Sequence, residues 1–571
     1  MYLLVFLLLI IGVGILTAIQ PYDVAKPLVD SLSDDEVEFF TPDYHHSALT
    51  KLWGGLGFLG LTAIALLLLR KRVARGFDAL AADSREFTAD QRKIRRSVWN
   101  ELTTTNKWTL AFIILLGIGL RWLYINAPLE YDESFSYLFF ASKPLYVTVS
   151  YYLLPNNHIL YNAFMHLSIQ LFDTSAWAVR LPAFIFGVMA IPLSYMLGRR
   201  VLNVQTGMLA ALLVSTSHWM IRYSTQGRGY SLQLVLILLM ALLAIYLRWS
   251  QSRPAWMWMA VLAALTVHTV PTGVYPVAFI WIWLLFAMKK GWAKRIKTLV
   301  VYGAFAVGLT MLLYTPVFIV SGGRSIIANP YVVSLSFSEW LAQIPQWTAD
   351  FHEYLAGPMP MALQIVLTLA VVAGIILHPW KKEPWPFIVP LTIVTLSMIT
   401  IQQVHPFTRV WTWIVPFVAI TAASGLGYLS ERFINAEKTT RTVSIVVGIV
   451  LLVTMSGAEL WQYNSTKEHR QTYELGMTSA AEWFNQNLAD DDFVLWNMSF
   501  PVIGYYLDRD GDGREVLYSR SETDSGRVFF IHDLNRSIPV ELAEAELDSS
   551  MINQMVQVFA EGNMTIHQLI R

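Results

Sequence analysis

Residues 109–140 read TLAFIILLGIGLRWLYINAPLEYDESFSYLFF, and this stretch decides the fold. It begins with an apolar segment long enough to cross the hydrocarbon core of a bilayer, which takes about 20 residues. The apolar segment ends at Leu129, and the adjacent acids Asp132 and Glu133 follow it closely. Acidic residues at the mouth of a membrane helix are costly unless they have a function. The stretch therefore predicts a membrane span that presents two carboxylates at the edge of the bilayer.

The composition of the 571-residue chain is that of a polytopic α-helical membrane protein. Hydrophobic residues make up 55% of the chain and charged residues 14%. The apolar residues are concentrated in blocks of about twenty, the length that crosses a bilayer. The net charge of +0 gives no overall field that would favour nucleic acid. The chain has no cysteine, which excludes disulfides and cysteine nucleophiles.

About thirteen apolar segments are predicted to cross the membrane. They are residues 2–19, 52–69, 109–129, 176–197, 204–220, 231–247, 256–269, 274–288, 300–319, 361–377, 387–401, 411–427 and 443–460. The basic clusters RKRVARG (70–76), GRR (198–200), KKGWAKRIK (289–297) and HPWKK (378–382) then all fall on one side. Cytoplasmic loops carry an excess of Lys and Arg. We therefore expect a multi-pass protein of the plasma, or inner, membrane with Asp132 on the extracytoplasmic side.

The chain divides into three predicted regions. Residues 1–107 form a transmembrane hairpin and a basic cytoplasmic segment, residues 108–464 form the main transmembrane region, and residues 465–571 form a small extracytoplasmic α/β domain. Two segments outside the spans, at about 160–171 and 340–351, have one apolar helical face and are predicted to lie in the interface plane.

A short acidic motif lies in the C-terminal region. The sequence DRDGDG (508–513) matches the start of a calcium-binding EF-hand loop at Asp508, Asp510 and Asp512. The twelfth position is Ser519, where such a loop needs Glu. A solvated acidic turn and a calcium site therefore both remain open, and the sequence indicates no other cofactor.

Polar residues near the span ends collect on the predicted outer face, which indicates one polar substrate cavity there. The residues that we expect to line it are Tyr131, Asn156, Asn157, His158, Gln226, Tyr230, His268 and His405. Arg228 and Arg409 lie at outer span ends as well, and Arg180 lies in the next span. The alternative is ordinary snorkelling of amphipathic side chains at the interface.

The acid pair fits a transfer from a phosphate better than a hydrolysis. Adjacent residues do not face each other on a helix, whereas glycosidases place two carboxylates on opposite sides of the scissile bond. A phosphate leaves as an anion, so one carboxylate is enough to take the proton from an acceptor hydroxyl. Arginines bind phosphate in a planar fork. The alternative for the pair is a helix N-cap and a solvated acid.

Three stretches carry a resemblance to a known family. They are LRWLYINAPLEYDESFSY (120–137), NNHILYNAFMHLSIQLFDTSAWAVRLPAFIFGVMAIPLSYMLGRR (156–200) and YSTQGRGYSLQLVLILL (223–239). They resemble the C-type (GT-C) glycosyltransferases, and more closely the protein O-mannosyltransferase and aminoarabinose-transferase superfamily. The likeness covers about residues 108–430, and the family's Asp-Glu pair corresponds to Asp132 and Glu133.

The resemblance implies a GT-C fold and a catalytic transmembrane region. It implies an inverting transfer from a polyprenyl-phosphate sugar donor to a hydroxyl of a glycan, lipid or protein acceptor. Asp132 would be the general base, with Glu133 as a second catalytic residue. Through WAVRLPA (177–183), GRGYSL (227–232) and FTRVWTWIVP (407–416), it implies donor-phosphate binding by Arg180, Arg228 and Arg409.

The chain departs from the aminoarabinose branch at two places. That branch has a Glu-Lys-Pro stretch where this chain has residues 156–158, and an Asp near Tyr230, so its metal site and sugar specificity are not carried over. Two other functions stay open, a transporter or flippase of lipid-linked sugars and a membrane-anchored binding module. A transporter needs polar residues at mid-depth, where the predicted spans are largely apolar, and thirteen spans exceed what an anchor needs.

Overall fold

The structure of the chain, a computed structural model, describes residues 2–30, 41–152, 154–327, 334–380, 386–433, 437–489, 492–495, 497, 499–510, 526–544 and 549–570. Most of them are helical. The α-helices are α1 (Tyr2–Ala18), α2 (Tyr22–Asp30), α3 (Pro42–Leu68), α4 (Arg70–Asn100), α5 (Thr104–Trp122), α6 (Tyr131–Ser136), α7 (Leu145–Ser150), α8 (Ile159–Leu171), α9 (Ala176–Val201), α10 (Val204–Thr216), α11 (His218–Ser224), α12 (Tyr230–Leu247), α13 (Arg253–Thr269), α14 (Val274–Ala287), α15 (Trp292–Leu313), α16 (Thr315–Val320), α17 (Arg324–Ile327), α18 (Phe337–Ala356), α19 (Met361–Ile376), α20 (Ile388–Gln402), α21 (Val415–Phe433), α22 (Glu437–Ser465), α23 (Lys467–Asn487), α24 (Phe500–Asp510) and α25 (Ile538–Glu544). A π-helical turn covers Tyr137–Ala141, and 3-10 turns cover Pro271–Gly273, Thr408–Ile414 and Ser549–Gln554.

Each predicted span coincides with one of these helices or with two consecutive ones. By length and composition, six described helical segments are able to cross a membrane: Pro42–Ala65, Ala176–Val201, Tyr230–Leu247, Trp292–Leu313, Thr408–Phe433 and Ile445–Ser465. The number is up to seven if α18 and α19, which are bent by 101° at a short break, form one span. Other predicted spans are matched by helices that are shorter or broken, such as Val204–Thr216. The multi-pass helical fold is confirmed.

The chain forms two compact units. The first comprises Met1–Val98 and Ser252–Pro254. Within it, α1 packs against α3, and Arg253 Nε donates to Asp83 Oδ2 of α4 at 2.6 Å. The second unit comprises Trp99–Gln251 and Ala255–Arg571, and it holds every residue of the predicted site.

Helix α9 runs through the second unit and connects its two ends. It packs against α8, α10, α11 and α12. Its second turn carries Arg180 and its last turn carries Arg199 and Arg200. A helix rises 1.5 Å per residue, so these arginines lie about 30 Å apart, close to the thickness of a bilayer core.

The C-terminal part is an α/β domain, as predicted. Its four-stranded sheet has the order β1-β2-β4-β3, with β1 parallel to β2 and the other pairs antiparallel. The strands are β1 (Phe493–Val494), β2 (Val528–Asp533), β3 (Met555–Glu561) and β4 (Met564–Leu569). At the turn between β3 and β4, Gly562 has φ 58°, and a Cβ there would lie 2.6 Å from the Thr472 oxygen of α23. The turn therefore requires glycine.

The sheet domain and the helices around the acid pair share one hydrophobic core. Buried residues from both parts contribute to it, including Leu129, Tyr137, Tyr161, Met165, Val179, Met477, Phe484, Phe500, Ile503, Tyr505 and Phe529. Two hydrogen bonds also join the sheet domain to the helical part. The Tyr137 hydroxyl donates to Asp508, and the Tyr505 hydroxyl donates to the Thr174 carbonyl at 2.9 Å. The sheet domain is therefore packed on the same end of the helices as the acid pair.

Candidate active site

The acid pair lies in the first turn of α6, which begins shortly after the apolar segment ends. Glu130 is the N-cap residue, and Glu133 Oε1 accepts its backbone N–H at 2.9 Å. This reciprocal contact and the negative charges in the first turn both favour the start of a helix. The helix continues into the π-helical turn Tyr137–Ala141, a conformation that is frequent at functional sites.

Glu133 points into the protein core. Its side chain is fully buried and forms an ion pair with Arg180, whose Nε donates to Oε2 at 3.0 Å and whose Nη2 donates to Oε1. The Gly227 N–H donates to Oε2 at 2.7 Å. Glu133 was predicted to be catalytic; both its oxygens accept hydrogen bonds from protein donors, and a catalytic role stays a prediction.

Arg180 was predicted to bind phosphate, and the structure instead places it inside this core. It is 2% exposed. Besides Glu133, its guanidinium donates to the carbonyls of Tyr124, Ile125, Ala127 and Pro128. These carbonyls lie in the turns that follow the end of α5. Arg180 therefore holds α9 to the segment that leads into the acid pair.

Asp132 has a different set of partners from Glu133. Its side chain is 15% exposed, and Oδ2 lies 2.9 Å from Arg409 Nη1 in an ion pair. Oδ1 accepts a hydrogen bond from Asn156 Nδ2 at 3.3 Å. These contacts use two of the about four lone-pair sites of a carboxylate, which leaves room for another donor.

The charges around Asp132 keep it ionised. Burial by itself would raise the pKa of Asp132, but the positive charges of Arg228 and Arg409 and the hydrogen bond from Asn156 outweigh burial and hold the pKa below its usual value. Asp132 is therefore a carboxylate at neutral pH and is able to accept a proton.

Arg228 lies beside Asp132 and contacts both α6 and the loop before α8. It is 2% exposed. Nη1 donates to the Asp132 carbonyl at 3.3 Å, to Ser136 Oγ at 2.9 Å and to the Asn156 carbonyl at 3.0 Å. Arg228 was predicted to bind the donor phosphate. Backbone and side-chain acceptors of the surrounding segments hold its guanidinium, and phosphate binding by Arg228 stays a prediction.

The His158 ring contacts both Gly229 and Arg228. Its Nδ1 accepts the Gly229 N–H at 2.9 Å, and its Nε2 lies 3.2 Å from Arg228 Nη2. Burial, and then the charges of Arg228 and Arg409, hold the pKa of His158 well below its usual value, so the ring is neutral. A neutral ring has one N–H and one acceptor nitrogen, so His158 connects the Gly229 backbone with the Arg228 guanidinium.

Arg409 is the most exposed of the three predicted arginines. It lies on the 3-10 turn Thr408–Ile414, and its side chain is 34% exposed. The guanidinium lies 4.6 Å from the centre of the Phe407 ring, a cation–π distance. Its backbone carbonyl accepts a hydrogen bond from Thr412 Oγ1 at 2.6 Å, and Thr412 Oγ1 lies 2.6 Å from the Tyr354 hydroxyl.

Helix α18 supports the segment that carries Arg409. His405 was predicted to line the substrate cavity; its ring stacks on Trp340 at 5.8 Å, and its Nε2 lies 3.0 Å from the Trp340 carbonyl. Trp347 Nε1 donates to the Pro406 carbonyl at 3.3 Å. Tyr354 was not predicted, although it continues the seven-residue spacing of these two tryptophans. His405 therefore has a supporting position on the α18 side of the site.

The structure brings Asp132, Asn156, His158, Arg228 and Arg409 together, with Tyr230 packed edge-on against His158 at 5.1 Å. Several other predicted cavity residues have supporting contacts instead. Asn157 donates to the Thr148 and Tyr151 carbonyls, Tyr131 lies against Phe135, and buried His268 lies edge-on against Tyr314.

A second, more exposed ion pair lies beside the acid pair and was not predicted. Glu130 pairs with Arg222 at 3.0 Å and also accepts from Gln226 Nε2 at 2.9 Å. The two ionic side chains are 52% and 42% exposed. The three-residue spacing of Glu130 and Glu133 is the sequence signal of a capping box and would have drawn attention to Glu130.

The predicted calcium motif lies only partly within the described residues. Helix α24 includes Asp508 and ends at Asp510, and the Asp508 carboxylate accepts from Tyr137. Asp512 lies outside the described residues. Among the residues that the structure describes, no three His, Asp or Glu side chains are grouped closely enough to hold a metal ion. Calcium binding stays a prediction.

The fold is similar to that of solved membrane glycosyltransferases, which confirms the resemblance at the level of fold. A family model described as dolichyl-phosphate-mannose-protein mannosyltransferase matches residues 155–317, which include residues 156–158, Arg180 and Arg228. No curated protein sequence matches the chain.

Solved structures with the same fold cover most of the chain. ArnT from Cupriavidus metallidurans in the apo state has 12% identity and a TM-score of 0.53, over 82% of this chain and 98% of that one. ArnT bound to undecaprenyl phosphate has 12% identity and a TM-score of 0.52 over the same shares. The Archaeoglobus fulgidus oligosaccharyltransferase tethered with an acceptor peptide has 10% identity and a TM-score of 0.51, over 82% of this chain and 74% of that one.

Proposed function

We propose that this protein is a membrane glycosyltransferase that moves a sugar from a polyprenyl-phosphate donor to a hydroxyl of a glycan, lipid or protein acceptor on the extracytoplasmic face. The observation that carries the proposal is the ion pair of Asp132 with Arg409, which puts an ionised carboxylate beside a half-exposed arginine at one end of the membrane helices. A base and a phosphate-binding cation are the two groups that this transfer requires.

In the proposed reaction, Asp132 takes the proton of the acceptor hydroxyl as its oxygen attacks the anomeric carbon. The bond from that carbon to the donor phosphate oxygen breaks, and the polyprenyl phosphate leaves with the electron pair. Attack from the face opposite to the phosphate inverts the anomeric configuration. Negative charge grows on the phosphate during bond cleavage, so Arg409 stabilises the transition state more than the bound donor.

The surrounding residues support these two groups. Arg228 and Asn156 keep Asp132 ionised, while Glu133 and Arg180 hold α6 against α9. The charge of Arg228 adds positive potential beside Asp132. The similar ArnT structure with undecaprenyl phosphate and the family description with dolichyl-phosphate mannose favour a polyprenyl-phosphate donor.

The test uses the full chain in liposomes with a panel of undecaprenyl- and dolichyl-phosphate monosaccharides and a membrane extract as acceptor. The measured quantity is polyprenyl phosphate released together with labelled product. Acceptor-dependent release from at least one donor, lost in Asp132→Asn, is the expected result. If no donor is cleaved and fluorescent lipid-linked sugar instead crosses the liposome bilayer, the protein is a flippase and the proposal fails.

A further inference from the structure

A recess lies at the end of the helices opposite to Asp132. It contains about 650 Å³ of empty volume, including space open to solvent, and lies along α21 beside the ends of α9, α12 and α19. Arg200 of α9 lies at its rim. Arg180, beside the acid pair, precedes Arg200 by twenty residues on the same helix, so the two ends are about 30 Å apart. The recess is therefore on the other membrane face and is distinct from the candidate active site.

The lining has two parts of different chemistry. The inner wall is apolar and aromatic, with Trp283, Phe387 and Phe417. The rim is polar and includes Arg200, Arg248, and His378 with Tyr428, whose hydroxyl lies 3.5 Å from His378 Nδ1. No Asp or Glu is among the described lining residues. An apolar wall below two arginines matches a molecule with an anionic head and a hydrocarbon chain.

Positive charge is concentrated at this rim beyond the lining itself. The Arg248 guanidinium lies 4.6 Å from the centre of the Trp249 ring, and Lys289 Nζ lies 3.8 Å from the same ring. Arg200 is exposed and has no ion pair with a described residue. Clustered cations repel one another at the edge of an apolar recess, and an anion between them would relieve the repulsion.

We propose that this recess binds the phosphate head of a lipid, drawn from the leaflet opposite to Asp132. Basic pockets between transmembrane helices bind lipid headgroups in this way, and the planar guanidinium fork suits a phosphate. Two sources share this chemistry, an acidic glycerophospholipid of the bilayer and a polyprenyl phosphate. The binding is independent of the proposed glycosyl transfer.

The test is native mass spectrometry of the purified full chain with equal concentrations of phosphatidylglycerol, undecaprenyl phosphate or phosphatidylcholine. We expect at least one anionic lipid to be retained more strongly than phosphatidylcholine, and the anionic lipid retained identifies the source. Arg200→Gln should weaken that retention about fivefold, which follows from about 1 kcal/mol per basic residue near a lipid surface.

Two further variants distinguish lipid binding in the recess from a general effect of positive charge. Arg199→Gln removes the same charge in the same turn, but Arg199 pairs with Glu101 and does not line the recess, so it should retain lipid like the parent chain. Ser424→Leu adds volume inside the recess without changing charge and should also weaken retention. Equal retention of all three lipids, or equal effects of Arg200→Gln and Arg199→Gln, would overturn the proposal.

Discussion

Arg409 Nη1 lies 2.9 Å from Asp132 Oδ2, so the proposed base and the proposed phosphate-binding cation are paired with each other. The pair connects the first turn of α6 to the 3-10 turn before α21. In the proposed reaction, a donor phosphate would compete with Asp132 for the guanidinium, and donor binding would then release the carboxylate toward the acceptor hydroxyl.

Arg409→Lys should lower the single-turnover rate by about a hundredfold while changing donor affinity less, since loss of one aligned transition-state donor has about this effect. Lysine keeps the charge but not the planar two-point contact. Donor binding and transfer are measured separately in each purified variant. Arg222→Lys is the matched control, because Arg222 pairs with exposed Glu130 instead of Asp132. A parent-like rate in Arg409→Lys would show that the donor phosphate is held elsewhere.

The pH dependence of kcat/KM should depend on the charges around Asp132. Its pKa lies below the usual value of an aspartate, about 3.9, so the acid limb of kcat/KM should lie below that pH in the parent chain. Arg409→Gln removes one of the charges that lower the pKa, so the residual activity should lose its base at a higher pH. An unchanged acid limb in Arg409→Gln would contradict the assignment of Asp132 as the titrating group.

The lowered pKa of Asp132 also affects the stability of the folded protein. A carboxylate whose pKa is lowered on folding stabilises the folded state above its unfolded pKa, and this contribution is lost as the pH falls through the folded pKa. Acid unfolding of the parent chain should therefore include a contribution from Asp132 that Asp132→Asn lacks. The pH dependence of thermal unfolding in detergent measures the difference.

The two ion pairs beside α6 should differ strongly in their effect on stability. Arg180 and Glu133 are 3% and 0% exposed, whereas Arg222 and Glu130 are 42% and 52% exposed. Arg180→Ala leaves a buried carboxylate without its partner and should lower the free energy of unfolding by about 3–5 kcal/mol. Arg222→Ala should lower it by about 0–1 kcal/mol. Equal losses in denaturant titrations would refute the positioning role of Arg180.

Topology remains a prediction that reporter fusions can test. The sheet domain shares a core with the helices around Asp132, so both must face the same compartment, while the basic segment after Arg70 should face the cytoplasm. A reporter after Arg75 and another after Gln462 should report opposite compartments. If both report the same one, the predicted count of spans is wrong.

The sequence was enough to predict the multi-pass helical fold and to single out Asp132 as a candidate, because both depend on local signals. A run of apolar residues defines a span, and an acid at its mouth has few structural explanations. The hydrogen-bond partners of the arginine side chains could not be predicted in the same way. Arg180 and Arg228 are conspicuous at outer span ends, yet their partners come from residues 124–136 and 156, far away in sequence.

The separate roles of Glu133 and Asp132 also depend on distant residues. Helix α6 has only six residues, too few for periodicity to define a buried face. Glu133 is internal because Arg180 and Gly227 approach it, whereas Asp132 is partly exposed and is paired with Arg409. The sequence indicated the pair, and only the packing distinguishes its two members.

The central claim is that Asp132 removes the proton of the acceptor. Its most direct test is single-turnover transfer by Asp132→Asn with the donor found active in the liposome panel, alongside binding of undecaprenyl phosphate. Asparagine keeps the shape and cannot act as the base, so transfer should fall by about a hundred- to ten-thousand-fold while lipid binding persists. Asp173→Asn, at an exposed position two residues before the N-cap of α9, is the matched control and should retain activity. Normal turnover by Asp132→Asn would contradict the account.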